Sequence, residues 1–246
     1  MSSKIKVDSI ETVSGSGTIS IPTGNNLSVG GTSTFTGAST FGEIRPNNIA
    51  STSGTNAMTI ASGGQVTFAT NPILGAGSII EVVSSVCDGS TVTVGSGNYT
   101  FQNVSATQLL TTSFVDTTGS LISYAPPSGT TQVIYSFNYM AGFNDNHAIA
   151  SHKFFIDSDE VLYARHTHGA STNGHFRVTF TWTINIGGSA DTNVGRLASW
   201  TSAKTLKLQS REYGSSNESS LHSSMYWENT GTGQLSIPTL TITAIR

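Results

Sequence analysis

Charge is the scarcest property of this chain. Of 246 residues, Lys and Arg supply 11 and Asp and Glu 14, about 10% of the whole, where a soluble domain averages about 25%. The balance of -3 holds no basic excess, so the electrostatic footprint of a nucleic-acid binder is missing. A single cysteine, Cys87, can make neither an internal disulfide nor a Cys-based zinc site. No stretch approaches the roughly 18 consecutive apolar residues of a membrane span. The opening Met1-Ser2-Ser3-Lys4-Ile5-Lys6 has no apolar h-region, and no secretory signal is expected there.

What fills the chain instead is neutral and polar. Ser (37), Thr (35) and Gly (26) make up 98 of the 246 residues, and Asn adds 16. Such content is compatible with disorder, but low net charge and 36% hydrophobic residues in short alternating runs oppose it. Thr, Val, Ile, Phe and Tyr dominate the runs, while Gly, Asn and Ser punctuate them, which is an all-β composition.

The first third carries an internal repeat. Residues 5–38 shifted by 39 positions fall on 44–77: Ile5 on Ile44, Lys6 on Arg45, Ile10 on Ile49, Gly15 on Gly54, Ile19-x-Ile21 on Met58-x-Ile60 and Leu27-Ser28-Val29 on Val66-Thr67-Phe68. Each copy reads as short alternating strands with too few apolar residues to offset backbone ordering at about 1–2 kcal/mol per residue. The copies therefore need partners that bury the same rows, and identical chains related by symmetry are the simplest ones. This predicts an elongated, oligomeric N-terminal region over 1–77.

Beyond Asn71-Pro72 the strands lengthen, and residues 78–246 are expected to form one β-sandwich, jelly-roll-like domain. Phe176-x-Val178-x-Phe180-x-Trp182-x-Ile184-x-Ile186 alternates against Arg177, Thr179, Thr181, Thr183 and Asn185, the pattern of a strand with one buried face. All three Trp lie in this part, so the core is expected there. Asn193–Trp200 is the one weak helix candidate.

Several segments resemble bacteriophage virion fibres of the marine and cyanobacterial type. They include Ser3-Lys4-Ile5-Lys6-Val7-Asp8-Ser9-Ile10, Gly63-Gly64-Gln65-Val66-Thr67-Phe68, Gly77-Ser78-Ile79-Ile80-Glu81-Val82-Val83 and Tyr124-Ala125-Pro126-Pro127-Ser128-Gly129-Thr130. The resemblance implies a homotrimeric tail fibre in the virion. Its N-terminal part would attach to another virion protein, of tail or capsid, and continue as a shaft. Its C-terminal β head would contact a host-surface glycan or protein. A capsid-mounted decoration or head fibre would have the same look. A carbohydrate-binding module or polysaccharide lyase is a further alternative from the sandwich alone.

Chemistry-bearing patterns are few. His166-Thr167-His168 has ligand-like spacing, because residues i and i+2 of a strand share a face. On a threefold axis three such pairs would offer six imidazoles to a transition metal, as some phage fibres do; otherwise the two are exposed loop histidines. Asp157-Ser158-Asp159-Glu160 lacks the rest of an EF-hand and reads as a hairpin turn. No Gly-x-Ser-x-Gly elbow and no convincing carboxylate pair is present, so no catalytic residues are assigned and no enzyme is expected. A neutral surface with aromatic and amide side chains in loops suits glycans, and the candidate contacts are Asn144, His147, Asn173, His175, Trp200 and Tyr213.

Overall fold

The computed structural model of the chain describes residues 48–50, 56–60, 66–68, 75–143, 148–170, 174–215, 218–225 and 233–246. The chain divides into two compact units, Met1–Asn71 and Pro72–Arg246. Among the described residues there is no helix, in keeping with the all-β composition.

In the first unit β1 (Asn48–Ala50), β2 (Asn56–Ile60) and β3 (Val66–Phe68) form an antiparallel sheet in that order. Met58 pairs with Ile49 on one side and Phe68 on the other. The strands expected in the second copy of the repeat, at 58–60 and 66–68, coincide with β2 and β3. The first copy, 5–38, lies outside the described residues.

The second unit holds β4 (Ile79–Val86), β5 (Thr91–Val94), β6 (Gly97–Thr100), β7 (Gln108–Leu109), β8 (Val115–Asp116), β9 (Ile122–Tyr124), β10 (Gln132–Phe143), β11 (Ala148–Ile156), β12 (Asp159–Ala170), β13 (Gly174–Asn185), β14 (Lys204–Glu212), β15 (Ser219–Leu221), β16 (Ser223–Met225), β17 (Gly233–Leu235) and β18 (Thr239–Ile245). β10 is the spine of the first large sheet. β13 runs along one edge for its whole length; on the other edge β18 pairs with 132–138 and β15 with 141–143. β4 lies outside β18, and β7 outside β15. The second large sheet runs β12-β11-β14, with β8 and β9 on separate stretches of β14. β5–β6 and β16–β17 are small two-stranded ribbons.

These named ladders are all antiparallel, so each strand turns alternate residues inward. On β10 these are Val133, Tyr135, Phe137, Tyr139 and Ala141; on β11, Ala148, Ala150, His152, Phe154 and Ile156. The two faces meet through Tyr135 and Phe154, centroids 4.9 Å apart, and through Phe154 and Phe180, 5.3 Å apart. The alternation expected for β13 holds: Phe180 and Ile184 are buried while Arg177, Thr179, Thr181 and Thr183 are exposed.

Local polar chemistry changes three sequence expectations. Asn193–Trp200 forms turns: the Asp191 carboxylate accepts from Asn193 N at 3.0 Å, and Gly195 adopts a φ of +71°. Such side-chain-to-backbone bonds compete with the helical ladder. The strand expected at Leu221–Trp227 breaks at His222 (φ 62°) into β15 and β16. β12 reaches Ala170, so His166 and His168 belong to a strand and not to a loop. The Asp157–Glu160 stretch makes the expected hairpin turn, and Asp157 binds Lys204 Nζ at 2.7 Å and Thr205 N at 2.8 Å.

Two polar groups of the core are fully accounted for. Glu81, in the middle of an apolar run, accepts from Ser96 N (2.9 Å), Ser96 Oγ (2.5 Å) and Tyr124 Oη (3.0 Å). The Cys87 thiol is buried and donates to the Gly119 carbonyl at 3.2 Å; burial, then the neighbouring Asp88, pushes its pKa up to about 12.

Candidate functional site

The two faces of the β12-β11-β14 sheet carry different chemistry. On the inner face, His152 of β11 stands opposite His166 of β12, and Ala150 stands opposite His168. A register shift between His152 and Phe154 puts the β12 histidines in step with His152. The His152 ring is near-parallel to both of the others, at 4.6 Å and 11° from His166 and at 4.5 Å and 13° from His168, and those two lie 6.1 Å apart, so the three centroids form a triangle. Phe180 stacks on His166 at 5.2 Å. One ring nitrogen from each of the three histidines lies within 4.8 Å of the other two.

The hydrogen bonds of this cluster are unevenly made. His152 Nδ1 is 2.7 Å from Ser210 Oγ, and its Nε2 is 3.5 Å from Tyr139 Oη. His166 Nδ1 is 3.4 Å from the Ala164 carbonyl; a carbonyl only accepts, so this nitrogen carries the proton. The Nε2 atoms of His166 and His168 are buried and have no hydrogen-bond partner. Burial, with His168 and His166 beside it, holds the His152 pKa well below the ordinary value. Burial also lowers that of His166, and burial with His166 alongside brings His168 to about 4. All three rings are neutral at pH 7.

The placement of the pair corrects the loop reading: both histidines belong to β12 and stand beside His152 on the inner face of the sheet. His152 was missed. Its signal was the alternation Ala148-x-Ala150-x-His152-x-Phe154-x-Ile156, which puts the histidine on an apolar face.

Phe114, Ser151, Lys153, Arg165, Thr167 and Arg211, together with His152 and His166, line an open cavity of about 330 Å³. Three of the chain's 11 cationic side chains thus meet in one place. Glu160 binds two of them: Lys153 Nζ at 3.0 Å, and Arg165 Nε. Lys153 Nζ and the Arg211 guanidinium lie 4.6 Å and 4.9 Å from the Phe114 centroid. Arg211 Nε is buried without a hydrogen-bond partner. These residues come from β11, β12, β14 and the segment before β8, so their spacing in sequence carries no signal.

Of the expected glycan contacts, Asn144, His147 and Asn173 lie outside the described residues. His175 opens β13, where its Nδ1 donates to the Ser223 carbonyl at 2.9 Å. Trp200 is only 6% exposed, with its indole N–H on the Tyr124 carbonyl (3.3 Å) and its ring edge-on to Tyr124. That burial takes it out of the set of open aromatic platforms, although it borders a shallow hollow with Pro126–Thr130. Tyr213 is 71% exposed just beyond β14.

No family model matches the chain, and no curated protein matches it. Among solved structures, that of infectious bursal disease virus, Gt strain, aligns with a TM-score of 0.27 and 12% identity, over 73% of this chain and 46% of that one. The chain thus spans less than half the length of that structure's chain, and a likeness at this score carries no argument about fold or role.

Proposed function

We propose that this chain is a non-enzymatic virion structural protein, the subunit of a homotrimeric fibre. Its C-terminal sandwich is a head that adheres to the host surface through an acidic glycan. The fibre part of the reading rests on the sequence: the resemblance, the repeat with apolar rows too thin for one chain, and the low charge that lets identical chains lie side by side. In this reading the N-terminal region attaches to another virion protein.

The adhesion part rests on the open cavity. Arg211, Lys153 and Arg165 place positive charge there, and Ser151 and Thr167 supply hydroxyls. A carboxylate or sulfate matches the guanidinium fork, and the Phe114 ring offers a face to sugar C–H groups. In a chain this poor in charge, the cluster favours anionic over neutral sugars.

The full chain applied to a glycan array should bind carboxylated or sulfated glycans, and Arg211→Gln should lose them. Binding that ignores glycan charge would remove the open cavity from the reading. A monomer by mass photometry would remove the trimer. Cleavage of the bound glycan would favour the lyase alternative. Electron microscopy of labelled particles separates tail from capsid attachment.

A further inference from the structure

We infer that His152, His166 and His168 form a binding site for one divalent transition metal ion, zinc being the best fit, within each chain. The inference does not depend on the adhesion reading. Its first support is placement. A His-x-His pair on one strand and a third histidine on the adjoining antiparallel strand put three imidazoles on one sheet face. Three histidines plus an open fourth position is an established zinc donor set. All-nitrogen donors suit zinc, nickel or copper and not calcium or magnesium, which take oxygen.

The second support is the hydrogen bonding. A polar atom left unpartnered in the interior forfeits its hydrogen bonds to water and calls for an explanation such as a bound ion. Here two such atoms, His166 Nε2 and His168 Nε2, lie in the same cluster. His166 keeps its proton on Nδ1, against Ala164, so its Nε2 lone pair is free to donate. His152 is held through Nδ1 by Ser210, and Ser210 is itself bonded to Thr117 Oγ1. A ligand histidine anchored through its other nitrogen is the usual outer-shell arrangement of a metal centre.

The three rings are near-parallel, with one nitrogen of each within 4.8 Å of the others. Bonds of roughly 2.0–2.1 Å to zinc imply nitrogens about 3.3 Å apart. The rings must therefore turn so that nitrogens now within 4.8 Å converge.

The test uses tag-free full-length protein, stripped with a chelator and titrated with Co²⁺ and with Zn²⁺ against a chromogenic competitor. The expected result is one equivalent per chain, a tetrahedral Co²⁺ visible spectrum that Zn²⁺ bleaches, and a rise in melting temperature. His166→Gln and His168→Gln should abolish stoichiometric binding, while His175→Gln should keep it. Ser210→Ala, which removes the anchor of His152 and the partner of Thr117 Oγ1 but none of the three ligands, should weaken binding about 10- to 100-fold. Wild-type protein that binds no metal overturns the inference. So does one third of an equivalent per chain, which would mean an ion shared on a threefold axis. Because wild-type stoichiometry decides the matter, a variant that fails to fold does not protect it.

Discussion

The guanidinium of Arg211 lies 4.9 Å from the centroid of the Phe114 ring, and the ammonium of Lys153 lies 4.6 Å from the same centroid. One aromatic ring thus serves two like charges. Cation–π attraction of roughly 0.5–1 kcal/mol each offsets part of their repulsion. Arg211→Gln is expected to weaken binding of an acidic glycan by about tenfold or more, the equivalent of ~1.4 kcal/mol, and to flatten its salt dependence. Titration calorimetry at low and high ionic strength measures both effects. Phe114→Ala should reduce affinity while leaving the salt dependence in place.

The buried carboxylate of Glu81 serves Ser96 and Tyr124 together. Glu81→Ala leaves Ser96 N and Tyr124 Oη without that acceptor, while Ser96 Oγ keeps Tyr99 Oη at 2.7 Å, and is expected to cost about 2–3 kcal/mol. Tyr124→Phe removes one donor only and should cost about 1 kcal/mol. Chemical denaturation followed by tryptophan fluorescence reads both, since Trp200 stands edge-on to Tyr124 at 6.0 Å.

Gly119 combines a φ of +84° with a closed environment. A Cβ there would lie 2.8 Å from Val104 Cγ2 and 3.0 Å from Pro238 Cγ. Gly119→Ala should therefore cost backbone strain of about 1–2 kcal/mol plus overpacking of about 1–3 kcal/mol. Gly129, with φ +85° but nothing nearer than 3.7 Å, should show the backbone cost alone. The difference in denaturation midpoint between the two alanine variants isolates the packing term.

His222 is fully buried against Phe137 and Tyr139, and neither ring nitrogen makes a hydrogen bond of normal geometry. Burial pushes its pKa down to about 4 from an ordinary 6.5. Between those values the unfolded chain takes up a proton that the folded chain refuses. The stability present above pH 6.5 should thus decline as pH falls toward about 4, by at most about 1.4 kcal/mol per pH unit. His222→Asn tolerates the φ of 62° and should remove that share of the acid slope. Urea denaturation of both proteins across this range checks it.

Much of the fold was legible because a strand writes its burial into a period of two. Phe176 to Ile184 announced both faces of β13, and the punctuation around Asp157–Glu160 announced the β11–β12 turn. Strand ends were less legible. Nothing periodic distinguishes Thr167-His168-Gly169-Ala170 as strand from loop, and pairing with Ala148–Ser151 decides it. Trp200 looked like a loop aromatic because its partner, Tyr124, is 76 residues away.

By itself, then, the sequence determined the all-β class and the alternation of the long strands, since these follow from local composition and spacing. Only the tertiary structure decided the sites. The register between β11 and β12 turned His166 and His168 inward and set them both beside His152. The order β12-β11-β14 brought Arg165, Lys153 and Arg211 over one cavity. Cross-strand register is a long-range choice, made by which rows of side chains pack best across the sandwich, and no local spacing in the chain encodes it.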